Sequence, residues 1–132
     1  MSRNTDSVKA MYKSFGQGDV PAILARLAPD VAWEYDWGGE SLRWFEQRRS
    51  RDAVPGFFAS LADFEFVRFE PFAFLEGDNM LAVPVRLELV YRANGKRIRD
   101  LEMHLWTFGP EGLVTGFRHF VDTHQWAQAT RA

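Results

Sequence analysis

The residue types best suited to chemistry are concentrated near the carboxyl end of the chain. All three histidines fall within residues 100–126, DLEMHLWTFGPEGLVTGFRHFVDTHQW, together with Glu102 and Asp122. Histidine changes its charge near neutral pH, and a carboxylate beside it can orient the ring and raise its basicity. The segment therefore predicts proton-transfer chemistry. The chain has no cysteine, which excludes a thiol nucleophile and disulfides.

The composition limits the partners of this chemistry. With 132 residues, of which 46% are hydrophobic, the chain suits one domain, residues 1–132. A formal net charge of −2 gives no reason to expect a nucleic-acid partner. No signal peptide opens the chain and no apolar run approaches the length of a membrane span, so we expect a cytoplasmic protein with no membrane partner. The histidines lack the short spacing of a zinc site, and neither a metal nor a cofactor is predicted.

Helices are predicted first and strands afterwards. Apolar residues recur at helical spacing from 8 to 15, and Asp19 can cap a second helix. Residues 31–37 alternate as a strand that places Trp33 and Glu34 on opposite faces. A short helix at 51–61 precedes four long strands at 64–75, 79–92, 96–108 and 113–121. This order predicts an α+β fold with helices on one face of an antiparallel sheet.

The turns between the last three strands predict which side chains meet. A two-residue turn at Asn94-Gly95 and a loop at 109–112 fix a pairing register. That register puts Glu102 directly opposite His119, with His104 a diagonal neighbour at about 7 Å. We therefore expect His119 and Glu102 to pair on one concave face, where the carboxylate raises the pKa of His119. His104, deeper among apolar residues, is expected to stay neutral.

Two of the candidate residues have a structural alternative. Asp122, three residues before Gln125, suits either the cap of a short helix or a general acid or base. His104, between Met103 and Leu105, could contact a ligand or could satisfy a backbone carbonyl in the core. The sequence leaves both alternatives open.

Large aromatic side chains are expected to surround an apolar pocket beside this pair. Rings of this size leave gaps that suit a flat hydrophobic ligand, although the same residues could form a core alone. The predicted lining residues are Tyr12, Trp33, Tyr35, Trp37, Phe57, Trp106 and Phe117. The expected partner is a small hydrophobic molecule.

The stretches VKAMYKSFGQGDVPAILARLAPDVAWEY and EMHLWTFGPEGLVTGFRHFVDTHQWAQA carry a family resemblance. With the order of elements between them, they resemble the NTF2-like superfamily, in its SnoaL-like, ketosteroid-isomerase-related branch. The resemblance implies a curved antiparallel sheet that the N-terminal helices wrap into a cone with an internal pocket. It also implies a homodimer through the outer sheet face. That face is predicted to carry Leu101, Met103, Leu105 and Phe120, which suit a buried interface.

This sequence matches only some of the catalytic residues of the families that it resembles. Ketosteroid isomerases use a tyrosine on the first helix, an aspartate base after the first strand and an acid on the penultimate strand. Counting without gaps puts these positions on Met11, Tyr35 and His104, with Tyr12 and Asp36 one residue away. SnoaL-type cyclases resemble the chain in another respect, since their aspartate after the last strand matches Asp122.

These observations predict a pocket protein that is an enzyme of proton-transfer type, acting on an apolar or polycyclic carbonyl compound. His119 would be the general acid or base, Glu102 would orient it, and His104 or Tyr35 would polarise the carbonyl. Two other classes stay open: a non-catalytic protein that binds a small hydrophobic ligand, and an association domain whose pocket is vestigial.

Overall fold

The computed structural model describes residues 2–38 and 41–131. The elements run in the order α1 Arg3–Gly16, α2 Val20–Leu24, β1 Leu27–Trp33, β2 Arg48–Arg49, α3 Pro55–Ser60, β3 Phe64–Pro71, β4 Leu75–Gly77, β5 Met80–Tyr91, β6 Arg97–Phe108, β7 Val114–Phe120 and α4 Thr123–Thr130. Short 3-10 helices occupy Arg43–Phe45, Arg51–Ala53 and Leu61–Asp63. The α+β class predicted from the sequence is confirmed, with a curved, unclosed sheet and four α-helices within these described residues.

Side-chain caps begin three of the helices. The Ser2 hydroxyl accepts a hydrogen bond from the backbone N–H of Thr5 at the start of α1, and Asp19 accepts one from Ala22 at the start of α2. Asp122 accepts one from Gln125 at the start of α4. Each cap satisfies a backbone donor that the first helical turn leaves without a partner. The capping alternative for Asp122 is therefore realised in the structure.

The sheet has the strand order β2-β1-β7-β6-β5-β3, and β4 pairs with the other end of β5. Every pair is antiparallel except β1 and β7, which run parallel, so the sheet is mixed rather than wholly antiparallel. This parallel pair sets the N-terminal strand beside the C-terminal one. It brings Trp33 level with Phe117.

Two predicted strands have different bounds in the structure. The strand predicted at 31–37 begins earlier, at Leu27, and ends at Trp33 because Glu34 adopts a positive φ of 62°. The strand predicted at 64–75 is divided into β3 and β4. The helix predicted at 51–61 is a 3-10 turn followed by α3.

The predicted pairing register was wrong by two residues in both hairpins. The turn after β5 is a four-residue loop, 92–95, because Tyr91 pairs with Lys96. Between β6 and β7 a bulge lies at Thr107 and Phe108, and beyond it His104 pairs with His119. A shift of two residues keeps every side chain on its predicted face. The face assignments therefore hold, but Glu102 lies opposite Val85 and not opposite His119.

The concave face is buried and the convex face is not. Val83, Val85, Glu102, His104 and His119 are all buried on the concave side. On the convex side, Leu101 is 64% exposed and Phe120 is 44% exposed. Within the described ranges, no helix is long and apolar enough to cross a membrane.

Candidate functional site

A cavity opens between the concave face of the sheet and helices α1 and α3. The cavity has a volume of about 70 Å³. Its wall is mainly aromatic, and the polar groups gather on β6 and β7. The predicted site residues that line it are Tyr12, Trp33, Phe57, Glu102, His104, Trp106, Phe117 and His119.

Glu34 holds His119 with both of its carboxylate oxygens. Oε1 accepts the backbone N–H of His119 at 2.8 Å, and Oε2 accepts a short hydrogen bond from ring nitrogen Nδ1. Glu34 is fully buried and His119 is 7% exposed. Because Nδ1 is engaged, Nε2 is the ring nitrogen of His119 that remains for a ligand.

The pairing of His119 with Glu102 was therefore wrong, and the partner is a residue predicted to face the other way. Strict strand alternation would turn Glu34 away from Trp33, but β1 ends at Trp33 and Glu34 takes the left-handed backbone conformation. Its N–H donates to the carbonyl of Phe117 at 2.7 Å. This contact holds the turned residue against β7, with its carboxylate directed at His119.

A second hydrogen-bonded chain joins Trp106, Tyr12, His104 and Glu102. The Trp106 indole N–H donates to the Tyr12 oxygen at 3.1 Å, and the Tyr12 hydroxyl lies 2.7 Å from Nδ1 of His104. Nε2 of His104 lies 2.6 Å from Oε1 of Glu102. The pKa of Glu102 is lowered, so its ionised carboxylate accepts the Nε2–H of His104. The pKa of His104 is also lowered, so Nδ1 of the neutral ring carries no proton and accepts the Tyr12 hydrogen. His104 is thus a neutral imidazole, held by Tyr12 and Glu102 instead of by a backbone carbonyl.

The two imidazoles meet edge to face, with ring centroids 4.7 Å apart, but their pKa values move in opposite directions. Burial lowers the pKa of His104 and outweighs the attraction of Glu102. Burial also acts to lower the pKa of His119, but the carboxylate of Glu34, helped by Glu102, raises it above its ordinary value. For Glu102, burial acts to raise the pKa, but the neighbouring histidines lower it. The pair at Glu34 is the one that favours a charged imidazolium.

Glu102, His104 and His119 could each offer one atom to a metal ion, since these atoms lie within 4.8 Å of one another. Metal-bound histidine requires a nitrogen without a proton. Nε2 of His104 and Oε1 of Glu102 are hydrogen-bonded to each other at 2.6 Å, so a metal ion at this position would have to displace that proton.

Three predicted site residues lie outside the cavity wall. The Tyr35 ring packs on Gly116, where an added Cβ would come within 3.2 Å of its Cε1 atom. Trp37 stacks behind the wall on Phe45, with ring centroids 5.0 Å apart. Asp122 caps α4. Both aromatic positions follow Glu34, where the predicted strand had already ended.

The sequence reasoning missed Glu34 and part of the wall. Phe45 and Phe69 line the cavity, as do Phe58 and Phe66. Phe45 belongs to a 3-10 turn within a segment for which no element was predicted. The available signal for Glu34 was a carboxylate set among Trp33, Tyr35 and Trp37, which is unusual unless it has a buried partner.

Comparisons with known proteins agree with this architecture. An NTF2-like protein of unknown function from Burkholderia pseudomallei K96243 shares 27% identity over 100% of both chains, with a TM-score of 0.87. A proposed polyketide cyclase from Pseudomonas putida KT2440 shares 18% identity over 97% of this chain and 98% of its own, with a TM-score of 0.78. TerC, co-crystallised with polyporic acid, shares 23% identity over 97% and 98% of the two chains, with a TM-score of 0.74. No curated protein matches the chain.

The family model of the SnoaL-like domain matches residues 8–117, from α1 to the middle of β7. This range contains Glu34, Glu102 and His104, and His119 lies two residues beyond it. The chain therefore belongs to the SnoaL-like domain family, within the NTF2-like superfamily.

Proposed function

We propose that the protein is an enzyme of proton-transfer type that enolises a small carbonyl compound. The observation that carries the proposal is the pair of carboxylate–imidazole units that meet at the cavity wall. One presents a carboxylate, Glu102, and the other an imidazolium, His119. A base and an acid held side by side in an apolar cavity are the groups that enolisation needs.

Glu102 is the proposed base. Oε1 is occupied by His104 at 2.6 Å, so Oε2 is the oxygen to which we assign the role of base. The lowered pKa keeps the group ionised at neutral pH. Oε2 would take a proton from the carbon next to the carbonyl, and the electron pair of that C–H bond would form the C=C bond of the enol.

His119 is the proposed acid. Its raised pKa favours the imidazolium, and Glu34 fixes the ring so that Nε2–H is available to the carbonyl oxygen. That N–H would protonate the oxygen as the enol forms. In the reverse direction the oxygen returns its proton to Nε2, and Glu102 returns a proton to the same or another carbon, so that atoms and charge balance.

The cavity volume narrows the substrate class expected from the sequence. With a volume of about 70 Å³, the cavity suits a single-ring compound. A polycyclic ligand would require several aromatic side chains, such as Phe58 and Phe69, to move. A single-ring ketone is therefore the first substrate class to test.

Solvent exchange at carbon tests the proposal without knowledge of the natural substrate. In D2O, ¹H NMR should show the protein accelerating loss of the methyl protons of acetophenone. We expect Glu102→Gln and His119→Gln each to slow the exchange by about 100-fold or more. His124→Ala, which removes the exposed third histidine, should leave the rate unchanged.

Two results would replace this proposal. Binding of neutral ketones with exchange at the rate of the buffer alone would favour a non-catalytic ligand-binding protein. Neither binding nor exchange would favour an association domain with a vestigial pocket.

We also propose that the protein forms a homodimer through the convex sheet face. Leu101 and Phe120 are exposed there, with Met103 and Leu105 half-buried between them. Met103 pairs with Phe120 across β6 and β7, so the apolar side chains form one continuous patch. Such a patch is typical of an interface core.

Sedimentation tests the assembly. The double substitution Met103→Lys and Leu105→Lys should give a monomer, because two charges would be buried in the interface. Leu75→Lys, at an exposed leucine on β4, should leave the sedimenting mass that of the dimer. A dimer that survives the double substitution would place the interface elsewhere.

A further inference from the structure

The charges around the cavity do not cancel. Glu34 and the imidazolium of His119 neutralise each other through their hydrogen bonds. Glu102 is hydrogen-bonded to His104, whose lowered pKa favours the neutral ring. One negative charge therefore remains, and it lies on a side chain that lines the cavity and is 3% exposed.

The rest of the cavity wall also favours positively charged ligands over negatively charged ones. No lysine or arginine is among the described residues that line the cavity. Aromatic rings such as Tyr12, Trp33 and Phe117 make up most of the wall, and their faces attract cations and repel anions. An anionic ligand would enter an apolar space that already holds an unmatched carboxylate, with only His119 to offset it.

We infer that the cavity sorts ligands by charge: it accepts uncharged and positively charged single-ring compounds, prefers the cations, and rejects carboxylates of the same shape. Combined with the proposed function, on which this part rests, the substrate is a carbonyl compound without a carboxylate, phosphate or sulfate group. An amine-bearing ketone would use both the carboxylate and the aromatic wall.

Three ligands of equal shape separate charge from fit. Benzamidinium, benzamide and benzoate share a planar ring and the same number of heavy atoms, and they differ by one unit of charge at each step. We would measure their dissociation constants at neutral pH by the change in tryptophan fluorescence, with calorimetry as a second method. Benzamidinium should bind on the order of 100-fold more tightly than benzoate, with benzamide between them.

Two Glu→Gln changes in the same cluster give opposite expectations. Glu102→Gln removes the unmatched charge, and the ratio between benzamidinium and benzoate should fall to within about threefold. Glu34→Gln should leave the ratio near its original value. Without Glu34 the imidazole of His119 is expected to lose its proton, so the pair stays uncharged in total.

Several results would overturn the inference that the cavity sorts ligands by charge. Benzoate binding as tightly as benzamidinium, or no measurable binding of benzamidinium, would overturn the inference. So would a ratio that Glu102→Gln leaves unchanged in a variant with the circular dichroism spectrum of the folded protein. The ligand series in the unaltered protein decides the matter even if that variant does not fold. Because no step requires turnover, charge selection without proton exchange would count against the proposed function alone.

Discussion

The pair at His119 and the pair at His104 use the same two residue types and differ in what they do with a proton. Both imidazoles are buried, and each has a glutamate oxygen within hydrogen-bond distance. His119 meets a carboxylate that also accepts its backbone N–H, and its pKa is raised. His104 receives a hydroxyl hydrogen from Tyr12 on its other nitrogen, and its pKa is lowered. The partner of Nδ1 distinguishes the two rings: it is the Tyr12 hydroxyl for His104 and the Glu34 carboxylate for His119.

The difference shows that a nearby carboxylate is not enough to charge a buried histidine. Burial lowers the pKa of His104 even with Glu102 beside it, and protonation would place a hydrogen on Nδ1, which faces the Tyr12 hydroxyl. Nδ1 of His119 instead faces the Glu34 carboxylate, which only accepts. Identical residue types can therefore hold one imidazole that favours the neutral form and one that favours the charged form in the same cavity.

The largest expected effect is on the free energy of unfolding. His119→Ala leaves the fully buried Glu34 carboxylate without its partner, and we expect a loss of about 3–5 kcal/mol. His104→Ala should cost about 1–3 kcal/mol, because Glu102 lines a cavity that water can enter. Urea denaturation measures both losses. His124→Ala is the control, and it should change the free energy of unfolding by no more than about 0.5 kcal/mol. Equal losses of stability at the two buried histidines would contradict the expected difference between the two pairs.

Removal of one hydroxyl should have the next largest effect. Tyr12→Phe leaves the Trp106 N–H without an acceptor, which should cost about 1–3 kcal/mol. It also frees Nδ1 of His104, so the pKa of His104 should rise, as measured by NMR titration. Tyr91→Phe, in the other hydrophobic cluster, is the matched control and should leave that pKa unchanged. A His104 pKa that stays lowered in Tyr12→Phe would assign the effect to burial alone.

The pH dependence of stability should have opposite signs for the two histidines. The folded pKa of His119 is raised, so its contribution is complete below the unfolded value of about 6.5 and is lost as pH rises through the folded value. The folded pKa of His104 is lowered, so its contribution is present above about 6.5 and is lost as pH falls towards the folded value.

Denaturation of two variants across this range measures the two signs separately. His119→Gln should cost more at acidic pH than at alkaline pH, and His104→Gln should do the reverse. Parallel profiles would show that the two histidines are protonated alike.

The smallest expected effect is the influence of Glu102 on His119. Glu34→Gln should lower the NMR-measured pKa of His119 clearly, because it removes both the charge and the hydrogen bond. Glu102→Gln should lower it less, because Glu102 acts only through its charge. A larger response to Glu102→Gln would restore the pairing predicted from the sequence.

The sequence predicted which face of the sheet each side chain occupies better than it predicted which residues pair across neighbouring strands. His104, His119 and Glu102 lie on the concave side as expected, because both register errors were even and a strand repeats its face every two residues. Any shift of the register changes which residues lie directly opposite each other on neighbouring strands. The loop after Tyr91 and the bulge at Thr107 depend on tertiary contacts that strand periodicity does not contain.

Glu34 shows a different limit. Its side chain faces inward only because the backbone turns to a positive φ, which is uncommon for residues other than glycine, asparagine and aspartate. The contact with β7 that holds this turn joins residues far apart in the chain. By contrast, the helix caps at Asp19 and Asp122 were predictable, because each depends on residues within one turn.

The parallel pairing of β1 with β7 has a consequence for how the protein reaches its native state. Glu34 and His119 are 85 positions apart, so closing that contact carries the entropy cost of a long loop. We expect it to form late, after the local hairpins of β5, β6 and β7 have assembled. During synthesis on the ribosome, Glu34 and then β6 would emerge before His119. The proposed activity would then appear only once both ends of the sheet have met, and its recovery after dilution from denaturant would lag behind the return of strand structure.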